Sequence, residues 1–278
     1  MQLTNLAIGY RSRHATHVVA QDISATLAPG RLTCLIGANG AGKSTLLRTL
    51  AAFQPPLGGN IVLDGRQLNA YTPSEIATRI GVVLTERLDI REMRVRELVA
   101  MGRSPYTGFW GRLSAADERA VDDAIALVGI EALERRMVRT LSDGERQKAL
   151  IAKALAQQTP IILLDEPTAF LDFPSKAGTM LLLSRLAHEM HKTIFLSTHD
   201  LDMALQTADE LWLMGKAAPP VRRDGDGPGG QQLLIGTPHQ LSASGELARF
   251  FAGPGIEFDA RYLCFRVSPG GTPPAAER

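Results

Sequence analysis

Hydrophobic positions along the chain come in two rhythms. Short runs of alternating or continuous apolar residues open it. LTNLAI (3–8) and HVVAQDISATL (17–27) are expected to be strands joined by turns and closed by Pro29-Gly30. RLTCLIG (31–37) is a continuous apolar run ending in glycine, as buried parallel strands do, and KSTLLRTLAAF (43–53) then takes helical character. GGNIVLDG (58–65) and RIGVVLT (79–85) are two further strands. From 86 to 157 the rhythm becomes helical, through RVRELVAMG, SAADERAVDDAIALVG and SDGERQKALIAKALAQ, which predicts a helical insertion in an α/β domain. Strands return at PIILLDEP (160–167), KTIFLSTHD (192–200) and ELWLMG (210–215), with a helix over KAGTMLLLSRLAHEM between the first two. The stretch 216–232 is dense in Pro, Gly and charge and predicts a loop. QLLIG resumes a strand, so that loop should tip a hairpin. Residues 1–245 form the main unit on this reading, and 246–278 a small appendage.

Two glycine-bearing helix starts carry the chemistry. GANGAGKST fits G-x-x-x-x-G-K-[ST], with Gly37, Gly42, Lys43 and Ser44 in register and Ala38, Asn39, Gly40, Ala41 and Thr45 completing the loop. Its glycines let successive N–H groups converge on one anion, and the helix that follows adds its positive end. Lys43 can serve the β- and γ-phosphates and Ser44 a Mg²⁺ ion, so ATP and Mg²⁺ are the expected ligands. At the end of an apolar strand, Asp165 is placed for Mg²⁺ and Glu166 to polarise an attacking water. His199, one strand later, is within plausible reach of the same phosphate. The second helix start is LSDGERQ (141–147). Ser142 and Glu145 have the form of a capping box, an ordinary local device. A helix start with a serine and a glycine is also an anion site, yet this one lies at the far end of the helical insertion, too remote for the phosphate held by Lys43.

The set Gly37-to-Thr45, LSDGERQ, IILLDEP, AFLD and STHD, in this order and spacing, resembles the ATPase subunit of ABC transporters over about residues 1–215. The resemblance implies a P-loop NTPase (RecA-like) core with an N-terminal antiparallel β subdomain and an inserted helical subdomain at about 86–157. It implies a head-to-tail pair of chains that sandwich ATP, each lending Ser142, Gly144 and Glu145 to the other's nucleotide. It also assigns Tyr10 to adenine stacking, where a half-buried strand tyrosine is equally possible, and Leu171-Asp172 to the link between the two sites. Two positions depart from the family pattern. Asp143 stands for a glycine of LSGGQ, and Glu145 for its glutamine; Asp143 is expected to point away from nucleotide. Thr85 stands where the family carries a glutamine that contacts Mg²⁺ and water, with Glu86 beside it.

ELVAMGRSPYTGFWGRLSAAD (97–117) resembles a segment of importer ATPases for iron chelates, haem and cobalamin. Tyr106, Phe109 and Trp110 there could line a groove for a permease helix or close the core of the helical insertion. The implied partners are a second copy, two transmembrane permease subunits and, indirectly, a substrate-binding protein, at the cytoplasmic face of the cell membrane. A soluble ABC ATPase and an exporter ATPase remain open alternatives. The 278-residue chain is 45% hydrophobic with net charge +1, so nothing global points to nucleic acid. Only six residues are lysine, which makes each of them informative. Cys34 and Cys264 stand far apart and form neither a disulfide framework nor a metal-ligand spacing. The first residues do not have the form of a signal peptide, and no apolar run reaches the ~18 residues of a membrane helix.

Overall fold

The computed structural model describes residues 1–13, 15–84, 92–108, 111–215, 232–253 and 255–267, with the backbone alone at Gln232 and Val267. In chain order the elements are β1 (Gln2–Arg11), β2 (Thr16–Thr26), β3 (Leu32–Ile36), α1 (Lys43–Leu50), β4 (Gly58–Leu63), β5 (Arg66–Gln67), α2 (Pro73–Ala77) and β6 (Ile80–Val83). Then come α3 (Val95–Ala100), α4 (Ala115–Val128), α5 (Asp143–Ala156), β7 (Ile161–Asp165), α6 (Phe173–Glu189), β8 (Thr193–Thr198), α7 (Leu201–Thr207) and β9 (Glu210–Gly215). The chain continues with β10 (Gln232–Gly236), α8 (Pro238–Ala243), α9 (Glu246–Phe250), β11 (Ile256–Asp259) and β12 (Cys264–Val267).

β1, β2, β4 and β5 make an antiparallel sheet in the order β2-β1-β4-β5. The central sheet runs β10-β9-β3-β8-β7-β6 and is parallel except for β10, which pairs antiparallel to β9 with Gln232 opposite Gly215. The expected hairpin is therefore present. Its loop, expected at 216–232, lies outside the described residues except for Gln232, which already belongs to β10.

Strand alternation divides the core between the two faces of the central sheet. Leu32, Cys34 and Ile36 of β3, Ile162 and Leu164 of β7, and Leu211 and Leu213 of β9 pack with the helices of one face. Leu35, Leu163, Phe195, Trp212 and Met214 face α1 and the antiparallel sheet. Phe195 and Trp212 meet edge to face at 5.1 Å, an arrangement that suits their ring quadrupoles. A sheet buried on both faces explains why its strands are continuous apolar runs.

Among the described residues, the helices of the insertion begin with α3 at Val95 and end with α5 at Ala156. Inside it, Arg103 is buried against Asp117 at 2.8 Å and also donates to Ala156 O and Gln158 Oε1. Buried charges need such pairing. Hydrogen bonds from Ser114, joined by Arg103, lower the Asp117 carboxyl to about 2. Tyr106 lies under the Arg103 guanidinium at 4.0 Å, donates its hydroxyl to Gln157 O, and keeps an exposed flank. Phe109 and Trp110 lie outside the described residues.

Among the described residues from 246 onward, an apolar set packs on the main core. Leu247 is fully buried within it, and Phe250, Phe251, Phe258 and Phe265 pack around it. Adjacent rings in the series 250–251, 251–265 and 258–265 are 4.8 to 5.3 Å apart.

Candidate active site

Register brings the site together. In the parallel sheet β3 lies beside β8, with Ile36 opposite Thr198, and β8 lies beside β7, with Ser197 opposite Asp165. Three strand ends thus reach one edge, where ligands bind in open α/β sheets. The loop after β3 wraps the start of α1. Gly42, the N-cap, has φ 99°, a left-handed value that glycine adopts without penalty. No side chain caps α1, and no acidic residue occupies its first turn. Lys43 is 6% exposed and folds back to donate to Gly37 O at 2.7 Å and Ala38 O at 3.2 Å. Burial lowers its pKa, against the opposing pull of Glu166 and Asp165. Ala38, Asn39, Gly40 and Ser44 form the exposed rim, and Ala41 and Thr45 are buried beneath it. Tyr10, half exposed, shares a 2.6 Å hydrogen bond with Thr45 Oγ1, which ties the antiparallel sheet to α1.

Asp165 accepts from Ser44 Oγ at 3.1 Å and from Ser197 Oγ at 2.6 Å, both at Oδ1. A hydroxyl and a carboxylate side by side fit Mg²⁺, which takes one or two protein oxygens and fills its remaining positions with water and phosphate. Among the described residues no cluster of three or more His, Cys, Asp or Glu forms an all-protein metal cage. Glu166 adopts φ 48°, an unfavourable left-handed conformation for a non-glycine residue. Its N–H is held by Ser197 O and Ser197 Oγ at 3.1 and 3.0 Å, and its Oε1 lies 2.5 Å from His199 Nε2. Ser197 therefore holds the Asp165 carboxylate and the Glu166 backbone. It stands in the STHD motif, yet only the β7–β8 register reveals its role.

The second helix start is some distance along the fold, at α5. Ser142 Oγ accepts from Glu145 N at 3.2 Å, and Glu145 Oε2 accepts from Ser142 N at 2.8 Å. The capping box expected from the sequence is complete. The Glu145 carboxylate is held by this cap and by Arg136 at 3.3 Å, which turns it onto its own chain. Asp143, half exposed, pairs with Arg146 of its own helix at 3.3 Å. Gly144 packs so closely on α6 that a β-carbon would come 2.9 Å from Ser175 Oγ. Asp172 caps α6 by accepting from Ser175 N at 3.1 Å. Thr85 and Glu86 lie outside the described residues.

A family model described as ABC transporter matches residues 20–169. The chain belongs to the ABC transporter family. The match takes in the phosphate loop, α5 and the Asp165-Glu166 strand end. The chain is 37% identical over 201 residues to the petrobactin import ATP-binding protein of Bacillus anthracis, covering 72% of this chain and 74% of that one. Among solved structures it is similar to a metal-chelate type ABC transporter in an inward-facing conformation, with TM-score 0.72, 26% identity, and coverage of 90% and 88% of the two chains. It is also similar to a dimeric ATP-binding cassette in a post-hydrolysis state with ADP and phosphate bound, with TM-score 0.65, 25% identity, and coverage of 76% and 93%. Among the described residues no helix is long and apolar enough to cross a membrane.

Proposed function

We propose that this ABC ATPase is the energy-coupling subunit of an importer for a metal chelate, the class that includes iron chelates, haem and cobalamin. The observation that carries the reading is the meeting of Ser44, Asp165, Ser197, Glu166 and His199 at three adjacent strand ends beside the phosphate loop. Lys43 and the start of α1 hold the β- and γ-phosphates of ATP, and Tyr10 offers its exposed ring to adenine. Mg²⁺ between Ser44 and Asp165 would neutralise charge on the phosphates. Glu166 accepts a proton from the attacking water, and His199 holds that carboxylate in place while facing the γ-phosphate. A second copy completes the sandwich by presenting Ser142 and Gly144 of α5. ATP then drives closure through contacts that exist only in the closed pair. Two permease subunits in the membrane receive that motion, with Tyr106 on the docking side.

Glu166→Gln tests the reading. The variant keeps the phosphate loop and the Mg²⁺ oxygens but loses the base. It is expected to bind ATP, to fail in hydrolysis, and to accumulate as a two-chain species in Mg-ATP by light scattering. A monomer at saturating Mg-ATP would overturn the sandwich, and unimpaired hydrolysis would overturn the role of Glu166. Co-purification of a membrane-spanning partner separates the transport reading from a free-standing ATPase.

A further inference from the structure

One of the six lysines lies beside the phosphate site without belonging to the phosphate loop. Lys176, in the first turn of α6, pairs with Asp200 Oδ2 at 3.0 Å. Asp200 directly follows His199 in the chain and caps α7 by accepting from Met203 N. Its own N–H donates to Thr198 Oγ1 at 2.9 Å. The residue after His199 is thus fixed by three polar contacts, of which the lysine's is the one from a distant part of the chain. Lys176 N–H donates to Asp172 O at 2.9 Å, so the same first turn is anchored on the turn that carries Leu171 and Asp172. Lys176, Asp200, His199 and Glu166 line one cavity of about 370 Å³, where Phe265 of β12 also reaches.

We propose that Lys176 is a positioning residue for hydrolysis, linking the turn at Asp172 to His199 through its ion pair with Asp200. The proposal rests on the ATPase reading above. The polar path runs from Asp172 through Lys176 to Asp200, then along the backbone to His199 and across to Glu166. The turn at its origin bears two exposed aromatics, Phe170 at 77% and Phe173 at 70%. A second copy pressing on that turn would therefore act on the His199–Glu166 pair through this link. Ion pairs as exposed as this one, 31% and 22%, contribute little to stability. Its effect belongs to geometry, where a small misplacement of a catalytic group is costly.

The test uses the full chain, with steady-state Mg-ATP hydrolysis and equilibrium binding of a fluorescent ATP analogue measured side by side. Lys176→Met is expected to lower kcat about 10-fold while KM and nucleotide affinity stay within about 2-fold of wild type. Lys176→Arg keeps the pair and should restore kcat to within about 2-fold. Asp200→Ser keeps a helix-capping hydroxyl but loses the charge, and should match Lys176→Met. The double variant should be no worse than either single one, as expected for residues acting as one unit. Wild-type kcat in Lys176→Met overturns the proposal. A loss of nucleotide affinity equal to the loss of kcat overturns it too, because Lys176 would then be a ligand contact. A failure of Lys176→Arg to rescue points to packing alone and likewise overturns it. Glu166→Gln measured in parallel separates the outcomes: if it hydrolyses normally the ATPase reading falls, and if it is inactive while Lys176→Met is normal only the present proposal falls.

Discussion

The two glycine-bearing helix starts singled out in this protein are built in opposite ways. α1 begins at a left-handed glycine with no capping side chain and no acid in its first turn, and places a buried lysine over its own loop. α5 begins with Ser142 and Glu145 capping each other and carries two acids, Asp143 and Glu145, in its first turn. An uncapped helix start presents its dipole and N–H groups to an anion, whereas acids in the first turn already neutralise that end. The first site can thus hold phosphate within one chain. The second has turned its carboxylates onto its own helix and Arg136, leaving a hydroxyl and a close-packed glycine as what it can offer to nucleotide. That asymmetry fits the proposal that the second start meets nucleotide only in a pair of chains.

The largest expected effect comes from removing the cation of the open site. Lys43→Ala should lower ATP affinity roughly 30- to 100-fold, since charge-assisted hydrogen bonds to phosphate are lost. Equilibrium binding of ATP to the isolated subunit checks it, and retained affinity would erase the contrast between the two starts. Ser142→Ala comes next. It should leave binding to one chain unchanged and lower hydrolysis roughly 10-fold, as loss of one donor in a pre-arranged site does. An equal loss in both measurements would mean that α5 serves the ATP of its own chain.

A third expectation concerns the cap alone. Hydrogen bonding from Ser142 lowers the Glu145 pKa below its ordinary value of 4.5. A carboxyl shifted downward stabilises the fold above its unfolded pKa, and the benefit is lost as the pH falls through the folded value. Glu145→Ala should therefore cost about 1 kcal/mol of stability at pH 7. The cost should fade below pH 4.5 as the wild-type carboxyl is protonated, which urea titrations at the two pH values would detect. α1 has no side-chain cap, so no matching acid-sensitive contribution is expected from its start.

Much of the site is legible in the sequence because its parts are local. The phosphate loop, Asp165-Glu166 at a strand end, and the Ser142–Glu145 box each need only a few neighbouring residues. What escapes is whatever depends on register between distant strands or on contact between helices. Ser197 matters because β8 lies beside β7 with Ser197 opposite Asp165. Lys176 meets Asp200 because α6 and α7 converge, although 24 positions separate them in the chain. Glu145 carries two readings in the motif, helix cap and nucleotide contact, and contacts within the chain show the first: its carboxylate lies on the cap and Arg136. Leu247, Phe250, Phe251, Phe258 and Phe265 pack on the main core, a tertiary choice that spacing along the chain does not encode.

The smallest expected effect is the most exacting test of the comparison. Asp143 replaces a glycine of the family pattern at the very helix start proposed to meet ATP, so an unshielded carboxylate there would repel phosphate. Its partner is Arg146, one turn on, at 3.3 Å. Both groups are partly exposed, so the pair itself adds little to stability. What it supplies is direction, because a carboxylate held by Arg146 lies along the flank of α5 rather than beyond its end. Asp143→Gly should accordingly change hydrolysis by less than about 3-fold, and Arg146→Ala should slow it more, by freeing Asp143 to swing toward the phosphate. High salt should reverse most of the Arg146→Ala loss, since exposed charges are screened within about 10 Å at 0.1 M. If Asp143→Gly instead raises hydrolysis many-fold, the carboxylate already opposes nucleotide in the wild-type chain. The second helix start would then be inhibitory by construction, and its contrast with α1 would lie in control of the reaction.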